Sequence, residues 1–336
     1  MIWADAQGCR VVDMDGREYI DLSAGFGVAA LGHRNEKIQA AWREQQVVHA
    51  LGDLASAEVT ERLLAAMPRP AKLGVTGEDA VEIALRTALL ATGRPGIVAF
   101  DGAYHGTGLL ALAATSIDVF RLPFRKWLPG PVYRRRYGDD PEALPARAGC
   151  VIVEPVQARG GARVPPPEFV ETLRARCDQA GALLIVDAIY AGLGRIGEMW
   201  PGAEVADILC VGKALGHGLP ISAALFRRGL ERVWELGDED VYTHTHMGSP
   251  LACASALVVL EEVPKLLDRV AEAGQRFERA GWHGAGLLRA RRGDAAEAER
   301  RGVIVVPAGP NGSLISATPP LTITDEEIDE ALERLS

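Results

Sequence analysis

Cysteine, lysine, aromatic residues and long apolar runs are all scarce in this chain. Its five cysteines, Cys9, Cys150, Cys177, Cys210 and Cys253, include no C-x-x-C pair, and three of them sit inside apolar runs, where a free thiol behaves as a small hydrophobe. That usage points to a reducing, cytoplasmic compartment. No stretch approaches the ~18 uninterrupted apolar residues of a membrane span, and the opening MIWADAQGCR lacks a basic region followed by an apolar one, so neither export nor anchoring is expected. Positive charge is in deficit: Lys+Arg 36 against Asp+Glu 45 gives a net charge of -9, which argues against nucleic acid as a partner. Lysine supplies only Lys37, Lys72, Lys126, Lys213 and Lys265, so a lysine in a special setting needs a reason. What is present is the composition of a packed globular protein: 336 residues, 48% apolar and 24% charged, enough for two domains or one large one with an appendage.

Four short apolar runs end in polar or glycine-bearing turns: IVAF before Asp101, CVIV before Glu154, ALLIV before Asp187, and ILCV before Gly212-Lys213. They read as buried strands, with helical patterns over Asp79–Thr92 and Glu168–Ala180 between them. Such alternation predicts an α/β fold with a mainly parallel sheet, whose ligands bind beyond the carboxyl ends of the strands. Glu154, Asp187 and Lys213 stand at three of those ends. VVDMDGREYIDL reads as a hairpin around Asp15-Gly16. Residues 1–50 are expected to form a lead-in segment packing with a small domain, 51–249 a large domain, and 250–336 the small α+β domain. Within the last, GVIVVPAG reads as one strand, GAGLLRARRGDAAEAERRG as a solvated connection, and Asp325–Leu335 as a helix.

The chemistry lies in the turns. Lys213 directly follows an apolar strand in CVGKALGHG, where burial would depress its pKa and favour amine nucleophilicity and Schiff-base formation. A carboxylate at the end of a central strand, as Asp187 is, either caps a turn or holds a pyridine nitrogen protonated. Together the two point to pyridoxal phosphate. VTGEDAVEIAL places Gly77 and Glu78 at a helix start, where free amides suit a phosphate or Glu78 and Asp79 serve as an ordinary cap. Tyr104, in FDGAYHG beside His105, suits stacking on a planar cofactor or plain packing. His244 and His246 lack a nearby acidic or Cys ligand, so no metal is expected. Neither G-x-x-x-x-G-K-[ST] nor G-x-S-x-G occurs, which removes the central residues of a P-loop nucleotidase and an α/β-hydrolase.

Eight blocks in order, DGREYIDLSAGFGVAALGH, TGEDAVEIAL, FDGAYHG, VIVEPVQARGG, LLIVDAIYAGLGRIG, VGKALGHGLPISA, THMGSPLACASAL and TPPLTITDEEID, make nearly the whole chain resemble the class III (ω-) aminotransferases. The resemblance implies a fold-type-I, aspartate-aminotransferase-like architecture and pyridoxal 5'-phosphate. It implies Lys213 as the Schiff-base lysine and proton shuttle, Asp187 as partner of the pyridine nitrogen, and Tyr104 and Ile189 on opposite faces of the ring. Tyr190 would lie near the ring hydroxyl, with Glu154 orienting the ring region and His105 beside it. Gly77 and Glu78 would supply phosphate-binding backbone. Thr245 would reach the phosphate of a neighbouring subunit, placing the active site at a homodimer interface. Phe26, Arg159 and Ser316 would face substrate.

Four positions depart from that family's pattern. Glu78 replaces a small residue, so its carboxylate is expected to turn away from phosphate while its amide binds; Ala188 replaces a carboxylate. Ser316 stands where many members carry a carboxylate-gripping Arg, while Arg159 stands where they carry the acid that pairs with it. Arg159 is therefore either a relocated anion anchor or a solvated cation. The expected activity is ping-pong transfer of an amino group between an amine or ω-amino compound and a keto acid or aldehyde. A racemase or epimerase of the same fold and a non-catalytic protein of that fold are the alternatives.

Overall fold

The computed structural model describes residues 1–50, 55–235, 241–309 and 312–336. Its centre is a seven-stranded sheet in the order β4-β10-β9-β8-β7-β5-β6, built from β4 (Ala71–Gly74), β5 (Gly96–Phe100), β6 (Val132–Arg135), β7 (Ala148–Val153), β8 (Leu183–Asp187), β9 (Ile208–Val211) and β10 (Ser222–Phe226). Strands β6, β5, β7, β8 and β9 run parallel, and β10 is antiparallel to both β9 and β4.

Strand alternation accounts for the apolar runs. Ile97, Cys150, Ile152, Ile185, Ile208 and Cys210 project to one face, against Val81, Ile83 and Leu85 of the Gly77–Thr92 helix. Their neighbours Val98, Val151, Val153, Leu184, Val186, Leu209 and Val211 project to the other, against Phe169, Leu173 and Cys177 of the Phe169–Ala180 helix. A sheet buried on both faces needs apolar residues at both parities, so its strands read as continuous runs. All five cysteines are unpaired and buried.

The parallel strands bring the carboxyl ends of β7, β8 and β9 to one edge, so Glu154, Asp187 and Lys213 meet there. The Gly77–Thr92 helix starts two residues earlier than the pattern suggested, because Thr76 and Asp79 form a capping box. Glu168 is not the first helical residue of its segment but the cap of Phe169–Ala180, with a left-handed φ of 62°.

Among the described residues, two four-stranded sheets accompany the central one. In the first, β1 (Trp3–Gln7), β2 (Arg10–Asp13) and β3 (Glu18–Asp21) form an antiparallel meander, the turn at Asp15-Gly16 lying between β2 and β3. The second holds β11 (His283–Ala285) and β12 (Leu288–Arg292). Here the expectation of a solvated connection over GAGLLRARRGDAAEAERRG fails: Leu288, Arg289 and Ala290 are buried, and Asp294 caps an Ala295–Arg300 helix. Nor is GVIVVPAG one strand. It divides into β13 (Val303–Ile304), which pairs in parallel with β3, and β14 (Val306–Ala308), which pairs antiparallel with β15 (Leu314–Ala317). Through β13 the first residues of the chain are joined to its last third. The boundary expected after residue 50 adjoins residues 51–54, which lie outside the described residues. Among the described residues no helix is long and apolar enough to cross a membrane.

Candidate active site

A cavity of about 330 Å³ opens at the carboxyl edge of the central sheet, lined by Thr76, Gly77, Glu78, Tyr104, His105, Gly106, Glu154, Ala158, Arg159, Asp187, Ile189, Tyr190 and Lys213. Lys213 enters it from the turn that follows β9. Its φ of 43° is left-handed, a conformation that costs a non-glycine residue energy. Nζ lies 4.5 Å from the centroid of the Tyr190 ring. Burial pushes the ammonium pKa down, and Arg159 adds to this, while Asp187 and Glu154 oppose it.

The carboxylates are held differently. Asp187, at the end of β8, accepts a hydrogen bond from His105 Nδ1 at 2.7 Å and another from the Ile189 amide at 3.1 Å. Glu154 accepts from the amides of Tyr104 at 3.0 Å and Ala158 at 3.4 Å. Burial, reinforced by the nearby Asp187, pushes the Glu154 carboxyl up to about 8, so near neutrality it keeps its proton and the two acids need not both be charged. His105 is buried, its amide donates to Thr115 Oγ1 at 2.9 Å, and its Nε2 has no partner among the described residues.

One end of the cavity is a helix start, lined by Thr76, Gly77 and Glu78. The capping box uses the amides of Val75 and Thr76, each 2.9 Å from Asp79 Oδ2, and that of Asp79, bonded to Thr76 Oγ1. Gly77 and Glu78 follow as the first helical residues, whose amides have no partner within a helix and sit at its positive end. Glu78 Oε2 is committed elsewhere, accepting from Thr107 N at 2.9 Å, Thr107 Oγ1 at 2.8 Å and Gly108 N at 3.0 Å. A Cβ on Gly77 would lie 2.9 Å from Ile189 Cγ2, so glycine is what lets the helix start approach the Ile189 side chain. Gly106 is similarly required: its φ is 118° and a Cβ there would lie 2.7 Å from that of Glu78.

Above this floor, Arg159 stacks on aromatic faces, its guanidinium carbon 5.2 Å from the Tyr104 ring centroid and 5.3 Å from that of Phe120. Tyr190 Oη is 3.3 Å from Thr318 Oγ1, which itself donates to the Ser23 carbonyl at 3.0 Å and so ties the cavity to the residues before Phe26.

Ten of the expected site residues thus line one cavity: Gly77, Glu78, Tyr104, His105, Glu154, Arg159, Asp187, Ile189, Tyr190 and Lys213. Phe26, Thr245 and Ser316 do not. Phe26 is 49% exposed on a left-handed turn. Thr245 is exposed on the 241–249 segment. Ser316 is buried in β15 with its hydroxyl donating to the Arg289 carbonyl at 3.1 Å. Sequence reasoning passed over Thr76, Gly106 and Ala158; the T-x-x-D capping pattern signalled the first, whereas nothing local signalled that Phe120 would back Arg159. Among the described residues no group of three or more His, Cys, Asp or Glu side chains is placed to hold a metal ion.

The cavity has the features a pyridoxal group requires: a buried lysine with depressed pKa, a fixed carboxylate facing it, a glycine-walled slot beside Ile189, and a helix N-terminus for the phosphate. Comparison with known proteins agrees. The family model described as aminotransferase class-III matches residues 1–280. The acetylornithine aminotransferase of Methanopyrus kandleri is 34% identical over 98% of this chain and 92% of that protein. The putrescine aminotransferase of Pectobacterium atrosepticum is 33% identical over 98% of this chain and 80% of that protein. The 5-aminovalerate aminotransferase of Pseudomonas aeruginosa is 34% identical over 81% of this chain and 71% of that protein. Among solved structures, ornithine aminotransferase from Toxoplasma gondii superposes with a TM-score of 0.89 at 27% identity, covering 99% of this chain and 89% of that one. An amine transaminase from an uncultivated Pseudomonas species, in its PLP-bound form, superposes with a TM-score of 0.88 at 26% identity, covering 100% of this chain and 93% of that one.

Proposed function

Since this chain belongs to the class III aminotransferases and works with pyridoxal phosphate, we propose a division of labour in its cavity among Lys213, Asp187, Glu154 and the start of the Gly77–Thr92 helix. The enzyme moves an amino group between an amine and a carbonyl compound. When bound, the cofactor supplies a reactive carbonyl carbon and a ring that draws electrons from the substrate's Cα.

Lys213 is the nucleophile and the proton carrier. Its depressed pKa enlarges the share of neutral amine near physiological pH, and Nζ moves a proton to and from the substrate's Cα. Asp187, fixed by His105 and the Ile189 amide, would hold a proton at the cofactor's pyridine nitrogen. Glu154, retaining its own proton up to about 8, avoids placing a second charge beside Asp187 and fixes the backbone of Tyr104. With the cofactor bound, Tyr104 and Ile189 would hold the ring from its two faces, Tyr190 would serve the ring hydroxyl, and the amides of Gly77 and Glu78 would bind the phosphate. The observation that carries this reading is the arrival of Lys213, Asp187 and Glu154, from the ends of three adjacent parallel strands, in one cavity.

The relatives' names point to a donor with a primary amine on a terminal carbon. Thr245, exposed and outside its own subunit's cavity, fits a role in completing the phosphate site of a second copy, so the working unit is a two-fold homodimer. The five unpaired, buried cysteines suit a reducing cytoplasm. A panel of terminal amines tests the reading: an accepted donor should bleach the visible cofactor absorbance and consume keto acid in one-to-one exchange for amine. Inversion at the Cα of a chiral α-amino acid without consumption of keto acid would mean racemisation instead, and full activity from a monomer would remove the role given to Thr245.

A further inference from the structure

Arg159 is a cation on the wall of the cavity. It lines the cavity that holds Lys213, and among the described residues no carboxylate pairs with it. Its charge helps push the Lys213 pKa down, which means that the two cations repel across the cavity. A guanidinium placed so is available to a negative group that enters. Yet it is not left to wave in solvent: Tyr104 and Phe120 hold it, their rings 5.2 Å and 5.3 Å from its carbon and themselves in edge contact at 5.2 Å between centroids. Cation–π contacts fix the plane of the guanidinium while leaving its N–H groups free to form hydrogen bonds. Arg121, next to Phe120, is already paired with Asp118 at 3.1 Å. Ser316 offers no alternative, being neutral, buried and bonded to the Arg289 carbonyl.

We propose that Arg159 is the binding group for a carboxylate of the amino or keto substrate, and that Phe120 is the positioning residue that keeps its guanidinium on the cavity. The proposal rests on the aminotransferase reading of the same cavity and narrows its substrates to amines or carbonyl compounds that bear a carboxylate. The planar fork takes both oxygens of that carboxylate in parallel hydrogen bonds, and the entering charge also relieves the repulsion on Lys213. Phe120 does not line the cavity; it acts through Arg159.

Calorimetric titration of the protein with pentanoate, against its neutral analogue pentanamide, reads this directly. Pentanoate should bind the wild type and pentanamide should not. Arg159→Ala should weaken pentanoate roughly tenfold to a hundredfold, the scale of a lost charge-assisted pair, and Arg159→Lys should recover only part. Phe120→Leu should weaken it several-fold, raising KM for a carboxylate substrate with kcat little changed, and Phe120→Tyr should restore it. Equal binding of pentanoate by wild type and Arg159→Ala, or no binding by either, overturns the proposal. If Phe120→Leu leaves binding intact or lowers kcat alone, the positioning role is wrong. The visible cofactor absorbance of the same samples separately reports whether the underlying aminotransferase reading stands.

Discussion

His105 donates from Nδ1 to Asp187 Oδ2 at 2.7 Å, and both side chains are buried. This bond, with the Ile189 amide on the other oxygen, fixes the one carboxylate proposed to face the cofactor's ring nitrogen. Asp187→Asn keeps the size of the side chain and removes its charge. It should leave the fold and cofactor binding largely intact while slowing the donor half-reaction by about 10²–10⁴-fold, the usual range for loss of proton control. Stopped-flow absorbance on the purified variant measures it. His105→Leu should instead cost about 1–3 kcal/mol in urea denaturation, because a buried carboxylate loses a fixed donor.

Gly77→Ala tests the slot beside the helix start. The new methyl would lie 2.9 Å from Ile189 Cγ2 and 3.0 Å from Cδ1, so the Ile189 side chain must move. Over-packing of this kind costs about 1–3 kcal/mol, and the displacement should narrow the space for the cofactor ring. Cofactor affinity, measured by titration of the apoenzyme, should fall. The double variant Gly77→Ala, Ile189→Ala should recover part of that loss, since the two side chains compete for one volume.

Glu154 gives the stability a pH dependence with a definite sign. Its carboxyl is raised from 4.5 to about 8 in the folded chain. Between those values the folded state holds a proton that the unfolded state has released, so this group's contribution falls as pH rises through that window and is flat above it. Urea melts of the apoenzyme should show Glu154→Gln gaining on the wild type from pH 5 to pH 8. A constant difference across that range would mean that Glu154 titrates normally.

The central sheet was legible because strands buried on both faces, such as Val151 to Val153 and Leu184 to Val186, present apolar runs with no polar parity to confuse them. The carboxyl edge was legible for the same reason: each run stops abruptly at Glu154, Asp187 or Lys213. Strand β12 was hidden by its arginines. Arg289 is buried with Nε bonded to the Gly286 carbonyl at 2.8 Å and Nη1 3.5 Å from Glu278, a tertiary solution that no local pattern announces. GVIVVPAG looked continuous because the change of partner from β3 to β15 occurs at Val305, an apolar residue like its neighbours. The contact of Phe120 with Tyr104 and Arg159 joins three segments far apart in sequence, and only the folded chain brings them together.

Borohydride reduction of the purified holoenzyme, followed by peptide mapping, tests the central claim most directly. The account predicts loss of the visible absorbance and a pyridoxyl group fixed on Lys213, the lysine that lines the cavity with Asp187 and Glu154. A pyridoxyl group found on Lys37, Lys72, Lys126 or Lys265, or on no lysine at all, would contradict it.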